Sequence, residues 1–277
     1  MAKGIGLIGN FKGKVGNMVG YHLSDSNTGN TQGIRVYQPI VKNPKTAAQA
    51  EQRAKLAPIN ATYRALKMVI DRGNEGLPYG NKSRLAWLKK AFKAEVMPWF
   101  VKGASVNFPV ACELTKGSLP GLDYRPDADG LVISCSGVTT ESVVNTIGAI
   151  STLLMAGYPQ LKAGDQITLV GVDYGGNVIA PHVLSFLIDT TSAEAISNVA
   201  AQTGSLMFES TFADCAVAAI VSREGANGEH LRSTAVLKLD ASITAAAPYD
   251  ATSKAAAIES YQSSASANAD WAEESIR

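Results

Sequence analysis

The sequence contains few of the residues from which most catalytic and metal sites are built. Its 277 residues include only three cysteines and three histidines. Cys112, Cys135 and Cys215 are far apart and form no C-x-x-C motif, so we interpret them as buried free thiols. The histidines are also far apart, and no spacing typical of a metal site occurs. We therefore predict that the protein uses no metal and no other cofactor.

Long hydrophobic segments are missing as well. The longest apolar runs, such as 217–221, are far too short to cross a bilayer. The N-terminus carries an early lysine but no apolar segment, because glycines interrupt it, so no signal peptide is predicted. We expect a protein that is made in the cytoplasm and has no membrane partner.

Catalytic motifs are absent, with one apparent exception in Gly4-Ile-Gly-Leu-Ile-Gly9. This G-x-G-x-x-G pattern marks a dinucleotide-binding loop when a strand leads into it and a helix follows. Only three residues precede Gly4, and the glycines after Gly9 disfavour a helix. Neither G-x-S-x-G nor H-E-x-x-H occurs, and the spacing does not fit a P-loop. We predict that the protein is not an enzyme.

Charge is distributed very unevenly along the chain. Residues 1–116 hold 18 Lys and Arg against 6 Asp and Glu, a net charge of +12. Residues 117–277 hold 7 against 18, a net charge of −11. The basic half can face nucleic acid, an acidic protein surface or the acidic half of another copy, although simple solvation also explains exposed lysines. The candidate binding residues are Lys12, Lys14, Arg35, Lys42, Lys45, Lys82, Arg84, Lys89, Lys90 and Lys93.

Residues 1–40 form a glycine-rich, basic segment. Strand-like stretches at 15–23 and 33–37 flank a polar segment, which predicts a hairpin with a long tip. Glycine permits close backbone approach and positive φ, so we expect an assembly arm that threads between subunits or follows a phosphate backbone. A β-arm packed on its own domain is the alternative. The glycines assigned to the arm are Gly9, Gly13, Gly16 and Gly20.

Residues 41–116 are predicted to form a helical basic module. Thr46 and Gln49 make a T-x-x-Q capping box, so a helix is expected from there to about residue 72, bent or split at Pro58. Its apolar stripe is predicted at Leu56, Ile59, Tyr63, Leu66 and Ile70. A second helix is expected over 82–96, with a basic polar side. Its apolar positions are Leu85, Leu88, Phe92 and Val96, with Trp87 and Ala91 alongside.

Residues 117–240 alternate short β-type runs with turns. Helical segments are expected at 141–156 and 192–200, and the strand spacing predicts an immunoglobulin-like antiparallel β-sandwich with helical insertions. Residues 241–277 are rich in Ala and Ser and are predicted to be mobile, apart from a short helix at 253–261, unless they dock on a partner. Trp271 is a candidate docking anchor, with an ordinary exposed aromatic as the alternative. The predicted fold class is α+β.

The pattern G-x-F-x-G-K-V-G-N-x-V-G over 9–20, followed by N-P-x-T-x-A-Q over 43–49, resembles an uncharacterised family. That family is widespread in Bacteroidota and in associated phages and mobile elements. The segments 161–170 and 219–234 are similar to its second half. The longer hairpin tip at 24–32 and the Ala/Ser tail depart from it. The resemblance implies a non-enzymatic protein with a basic N-terminal module and a C-terminal immunoglobulin-like domain.

Three functional hypotheses follow. The first is a structural component of a phage particle, either capsid-associated, connector or tail, which self-associates and binds other virion proteins. It would be located in the virion and would assemble through its basic N-terminal module and acidic C-terminal half. The second is a non-specific nucleic-acid-binding or packaging protein. The third is an immunoglobulin-like surface or glycan-binding protein.

Overall fold

The computed structural model describes residues 13–25, 29–37, 46–139, 141–176, 178–209, 211–226, 228–244 and 248–263. The chain forms two compact units, one from residues 1–44 and one from 45–277. Antiparallel sheets occur in both and helices in the second, so the α+β class is confirmed. Within the second unit, residues from Ala54 to Ala257 share one hydrophobic core. The segments 1–40, 41–116, 117–240 and 241–277 stay a prediction.

The first unit contains a three-stranded antiparallel sheet in the order β1-β2-β3. Its strands are β1 Gly13–Val15, β2 Met18–Asp25 and β3 Gly29–Val36. The predicted hairpin is present, but pairing continues to Asp25 and Gly29, so its tip is shorter than expected. Gly16 begins the turn between β1 and β2 with φ +56°, which a type II′ hairpin turn requires at its first central position.

Helix α1, Ala47–Ala65, begins at the predicted capping residue. Thr46 Oγ1 accepts a hydrogen bond from the Gln49 N–H at 3.3 Å. Pro58 lies inside α1 without splitting it, and the interruption comes instead at Leu66, before α2, Lys67–Ile70. Thr62 donates to the Pro58 carbonyl at 2.9 Å, which satisfies a backbone acceptor in this part of the helix.

Helix α3, Asn81–Ala91, buries most of the side that was predicted, because Trp87 and Ala91 lie in the core and Leu88 and Phe92 pack against it. Its buried residues are Ser83, Trp87 and Ala91, whereas Leu85 is 48% exposed. The Ser83 hydroxyl donates to the Ile70 carbonyl at 2.8 Å, which ties α3 to α2. The prediction was wrong for Leu85 alone among the α3 residues, and it missed the buried Ser83.

Two large antiparallel sheets and one two-stranded sheet form the β part of the second unit. The strands are β4 Glu113–Thr115, β5 Tyr124–Asp127, β6 Gly130–Ser134, β7 Ser142–Val143, β8 Gln166–Asp173, β9 Ala180–Leu187, β10 Val199–Gln202, β11 Ser205–Glu209, β12 Cys215–Glu224, β13 His230–Arg232 and β14 Ala235–Val236. The sheet orders are β5-β6-β11-β10-β7, β13-β12-β8-β9 and β14-β4. The predicted hairpin across 224–230 is confirmed by the pairing of β12 with β13.

The helical insertions are fewer than predicted. Helix α4, Ile147–Gly157, starts at the capping residue Thr146, and the residues just before it belong to β7. The helix expected at 192–200 is wrong. The Ile147 N–H donates to the Glu194 carbonyl at 3.0 Å, and the Ile196 N–H donates to the Asn145 carbonyl at 3.0 Å. These bonds hold residues 194–196 in an irregular conformation beside the start of α4.

Strand β12 runs through the centre of the core. Its residues 215–221 are all buried, as expected for a strand covered on both faces. The C-terminal region adds α5, Ala241–Thr244, and α6, Ala251–Ser263. Helix α6 packs against α1 with Ala257 fully buried, so the described part of the predicted mobile tail belongs to the core. Ala50 and Ala54 are the buried residues of α1 that permit a close approach.

Candidate interaction surfaces

At the end of the N-terminal sheet next to the β1–β2 turn, cationic and exposed apolar side chains lie on opposite faces. Directly paired residues of an antiparallel sheet point to the same face. The row Lys14, Val19 and Arg35 therefore lies on one face, and Met18 and Val36 lie on the other. Lys14 Nζ sits 3.6 Å from the centroid of the Tyr37 ring, which places an aromatic ring among the cations. We call Lys14, Arg35 and Tyr37 the basic face.

The opposite face carries three exposed apolar side chains at the same end of the sheet. Met18, Ile34 and Val36 are 37%, 52% and 76% exposed. Gly13 and Gly20 pair directly across the same face, next to Ile34. We call Met18, Ile34 and Val36 the apolar face.

Three of the predicted α3 cations are exposed and lie in one line. Lys82, Lys89 and Lys93 are separated by seven and four residues, a spacing that keeps them on one side of a helix. Lys93 lies two residues beyond the end of α3. These three side chains form what we call the lysine stripe.

The other two α3 cations make contacts within the fold. Arg84 stacks over the Tyr63 ring with its Cζ 4.6 Å from the centroid. Lys90 pairs with Glu113 and donates to Asn74 Oδ1 at 3.2 Å. Arg84 and Lys90 therefore already interact with neighbouring side chains of the same chain. Lys12, Lys42, Lys45, Gly9 and Trp271 lie outside the described residues.

Glu75, one of the few acidic residues of the basic half, is a structural anchor. Both oxygens of Glu75 bond to Ser118, and Oε2 also accepts from the Arg232 N–H at 3.1 Å. Burial alone would raise the pKa of Glu75, but the hydrogen bonds from Ser118 and Arg232 outweigh it, and the pKa is lowered. Glu75 thus joins the segment between α2 and α3 to strand β13.

One polar cluster was not found by sequence reasoning. The Cys215 thiol donates to Asp173 Oδ1 at 2.9 Å, and His182 Nε2 lies 2.8 Å from Asp173 Oδ2. The carboxylate therefore stands between thiol and imidazole, so the imidazole makes no hydrogen bond to the thiol. Burial, with the Asp173 hydrogen bond, raises the pKa of the Cys215 thiol. This keeps sulfur protonated, the opposite of what nucleophilic catalysis requires.

The other two cysteines are also buried. Burial raises the pKa of Cys112 to about 12, and all three cysteines are free and buried. No group of three His, Cys, Asp or Glu side chains suited to a metal ion occurs among the residues that the structure describes. None of the helices in that part of the chain combines the length and hydrophobicity of a membrane span.

Comparison with known proteins gives no relative from which an activity can be transferred. No family model matches the chain, and no match is found among curated proteins or solved structures. The basic face, the apolar face and the lysine stripe are therefore the features from which a function can be proposed.

Proposed function

We propose that this chain is a non-enzymatic structural component of a phage particle, and that it self-associates through its N-terminal sheet. The observation that carries the proposal is the exposure of Met18, Ile34 and Val36 together on one face of that sheet. The assignment to a phage particle is supported by the resemblance of the segments 9–20 and 43–49 to a phage-associated family.

A sheet of this size needs a covering surface. A three-stranded sheet gains stability when its hydrophobic side chains are packed against another surface. Met18, Ile34 and Val36 are exposed, and burying them would stabilise a contact by roughly 1.5–3 kcal/mol for each one fully covered. Docking on a neighbouring subunit supplies that cover. The separation of residues 1–44 as their own unit suits an arm that reaches a neighbour.

The uneven charge distribution favours a second copy of this chain as the neighbouring subunit. Lys14 and Arg35 present positive charge on the basic face, and residues 117–277 carry a net charge of −11. A contact between unlike patches of identical copies is heterologous and generates rings or filaments, the geometries of virion components. Screening by salt should weaken the electrostatic part of this contact.

The proposal includes an immunoglobulin-like sandwich for the second unit. Taken in chain order as A, B, C, C′, D, E, F and G, the strands are β5, β6, β8, β9, β10, β11, β12 and β13. The observed orders then become A-B-E-D and G-F-C-C′, with β7 added beside D. Helix α4 is an insertion between B and C. A crystal structure in which the two sheets cross at about −30° would support this assignment.

Light scattering of the full chain, with absorbance at 260 and 280 nm, tests the structural role. The wild-type chain should form large oligomers free of nucleic acid at low salt, and smaller ones at high salt. Ile34→Ser combined with Val36→Ser should reduce the mass, because it removes the apolar face. Met68→Ser, at an 83% exposed site in α2, is the matched control and should change nothing. An unchanged mass in the double variant would overturn the proposal.

Nucleic-acid binding is the second candidate, because the lysine stripe is exposed on one side of α3. Phosphate contacts would give binding that is independent of sequence and steeply dependent on salt. In a gel-shift titration of the full chain, Lys82→Gln, Lys89→Gln and Lys93→Gln together should weaken DNA binding and flatten its salt dependence. Lys116→Gln is the matched control. Absence of retardation at low salt would exclude this function.

A further inference from the structure

Strand β9 is a long edge of the second unit, and most of its length is unprotected. Its eight residues include no Asp, Glu, Lys or Arg, and its proline, Pro181, stands second in the strand. In the described part of the chain β9 pairs only with β8. The other edges of the two large sheets are protected. Strand β5 carries Arg125, Pro126 and Asp127, while β7 and β13 contain only two and three residues. Long uncharged edges pair readily with another strand, and proteins normally interrupt them with charge, proline or shortness.

The backbone of β9 presents free hydrogen-bonding groups on its outer side. The Ile188 N–H donates to the Asp165 carbonyl at 2.7 Å, and the Ile188 carbonyl accepts from Gly164 at 2.8 Å, so Ile188 faces the β8 side. Because successive residues alternate, the N–H and C=O groups of Val183, Ser185 and Leu187 point away from β8. None of these groups has a hydrogen-bond partner among the described residues.

The row of unpaired backbone groups on β9 is limited at both ends. Pro181 has no N–H to offer, and the Asp189 N–H already donates to Ser151 Oγ at 3.1 Å. The open segment is therefore 183–187, with Ser185 at its centre. Its outer side chains are also exposed, since Val183 and Leu187 are 56% and 57% accessible to solvent.

We propose that β9 of one copy pairs antiparallel with β9 of a second copy, about a two-fold axis at Ser185. Val183 then lies opposite Leu187 of the partner subunit, and Ser185 lies opposite the partner's Ser185. Each opposed pair exchanges two backbone hydrogen bonds, which gives about six across the contact. The exposed valine and leucine meet on the same face, with Cβ atoms about 4.5–5.5 Å apart.

The symmetry of the segment favours a second copy over a foreign strand. Apolar residues stand two positions on either side of a small central serine, so the edge is complementary to itself, as a two-fold contact requires. The pairing joins two four-stranded sheets into one continuous sheet and removes both free edges. This contact lies entirely within the second unit and is independent of the N-terminal sheet and of the function proposed above.

A cysteine at the axis gives a direct test, because all three natural cysteines are buried. In an antiparallel hydrogen-bonded pair the two Cα atoms lie about 5.5 Å apart, within the range that a disulfide spans. Full-length Ser185→Cys, oxidised at low micromolar concentration, should form a covalent dimer. Val143→Cys, in edge strand β7 and 75% exposed, is the control and should cross-link far more slowly. Equal cross-linking rates would overturn the proposal.

Sedimentation of a second variant pair measures the contact itself. The background is the full chain with Ile34→Ser and Val36→Ser, so that association through the N-terminal sheet is removed. This background should be a dimer. Val183→Pro, which removes an outward N–H, should raise the dimer dissociation constant roughly tenfold or more. Val183→Ala, which keeps that N–H, should remain largely dimeric.

Two results of this experiment would count against the contact. They are a monomeric background, or equal dissociation constants for Val183→Pro and Val183→Ala when both show wild-type thermal unfolding. Failure of the proposed function has a different signature, namely that replacing Ile34 and Val36 leaves the mass of the wild-type assembly unchanged.

Discussion

Arg223 holds Asp165 through two parallel hydrogen bonds, 2.6 Å from Nε to Oδ1 and 2.7 Å from Nη2 to Oδ2. The Asp165 side chain has no exposed surface, and the Lys162 N–H adds a third bond to Oδ2 at 2.8 Å. The pair connects β12 to the turn that leads into β8. A buried carboxylate with all its oxygens occupied is tolerated in a core, whereas an unpaired one is strongly unfavourable.

Arg223→Met should therefore lower the free energy of unfolding by about 3–5 kcal/mol, because it strands a buried charge. Arg125→Met, on the exposed edge of β5, is the matched control and should stay within about 0.5 kcal/mol of the wild type. Urea unfolding followed by circular dichroism measures both. A loss below about 1 kcal/mol for Arg223→Met would show that the ion pair contributes little.

Glu75 should make stability depend on acid pH. Its pKa is lower in the folded chain than in the unfolded one, where an ordinary value is about 4.3. The stabilisation is therefore complete above the unfolded value and is lost as the pH falls through the folded one. Urea midpoints between pH 7 and pH 3 should fall less steeply for Glu75→Gln than for the wild type. The exposed Glu95→Gln should keep the wild-type slope, and parallel curves for all three chains would contradict this role.

Ala257→Leu should destabilise the fold through overpacking, since Ala257 is the residue of α6 that is fully buried against the core. The expected loss is about 1–3 kcal/mol. Ala256→Leu places the same side chain one residue earlier, at an exposed position, and should be nearly neutral. Thermal unfolding of both variants distinguishes a docked helix from a loose tail. Equal melting temperatures would mean that α6 does not pack on α1 in solution.

Gly130→Ala should weaken the pairing of β6 with β11. A Cβ at Gly130 would run into the Phe208 carbonyl, which belongs to the partner strand. Relief requires the two strands to separate locally, and we expect a loss of roughly 1–3 kcal/mol. Gly176→Ala is the control, because a Cβ there meets nothing within 4 Å. A smaller loss for Gly130→Ala than for the control in chemical unfolding would refute the expectation.

Local signals in the sequence predicted local structure well. The cap at Thr46 was predictable because both of its partners lie within one helical turn. The side that each helix buries was harder, because it depends on distant elements. Leu56 is 42% exposed while Ala54 is fully buried, since α6 packs on the small residues of α1. Apolar periodicity favours large side chains and therefore missed this contact.

The candidate surfaces likewise combine features that the sequence predicts with contacts that it does not predict. The cationic character of Lys14 and Arg35 is visible in the sequence, but their common face follows from a pairing register that the sequence only suggested. The interaction of Lys90 with Glu113 was not predictable, because 23 residues separate them. The Cys215 contact with Asp173 spans 42 residues and likewise appears only once β8 and β12 are paired.

The docking of α6 makes completion of the fold depend on the last described helix. The Trp99 N–H donates to the Pro248 carbonyl at 2.9 Å, Tyr249 donates to the Pro109 carbonyl at 2.8 Å, and Lys254 pairs with Glu51 at 3.3 Å. A nascent chain that stops before Ala251 leaves the alanine side of α1 uncovered. Prematurely terminated products would then be recognisable to proteases, so that only chains whose synthesis has passed this helix would persist in the folded state.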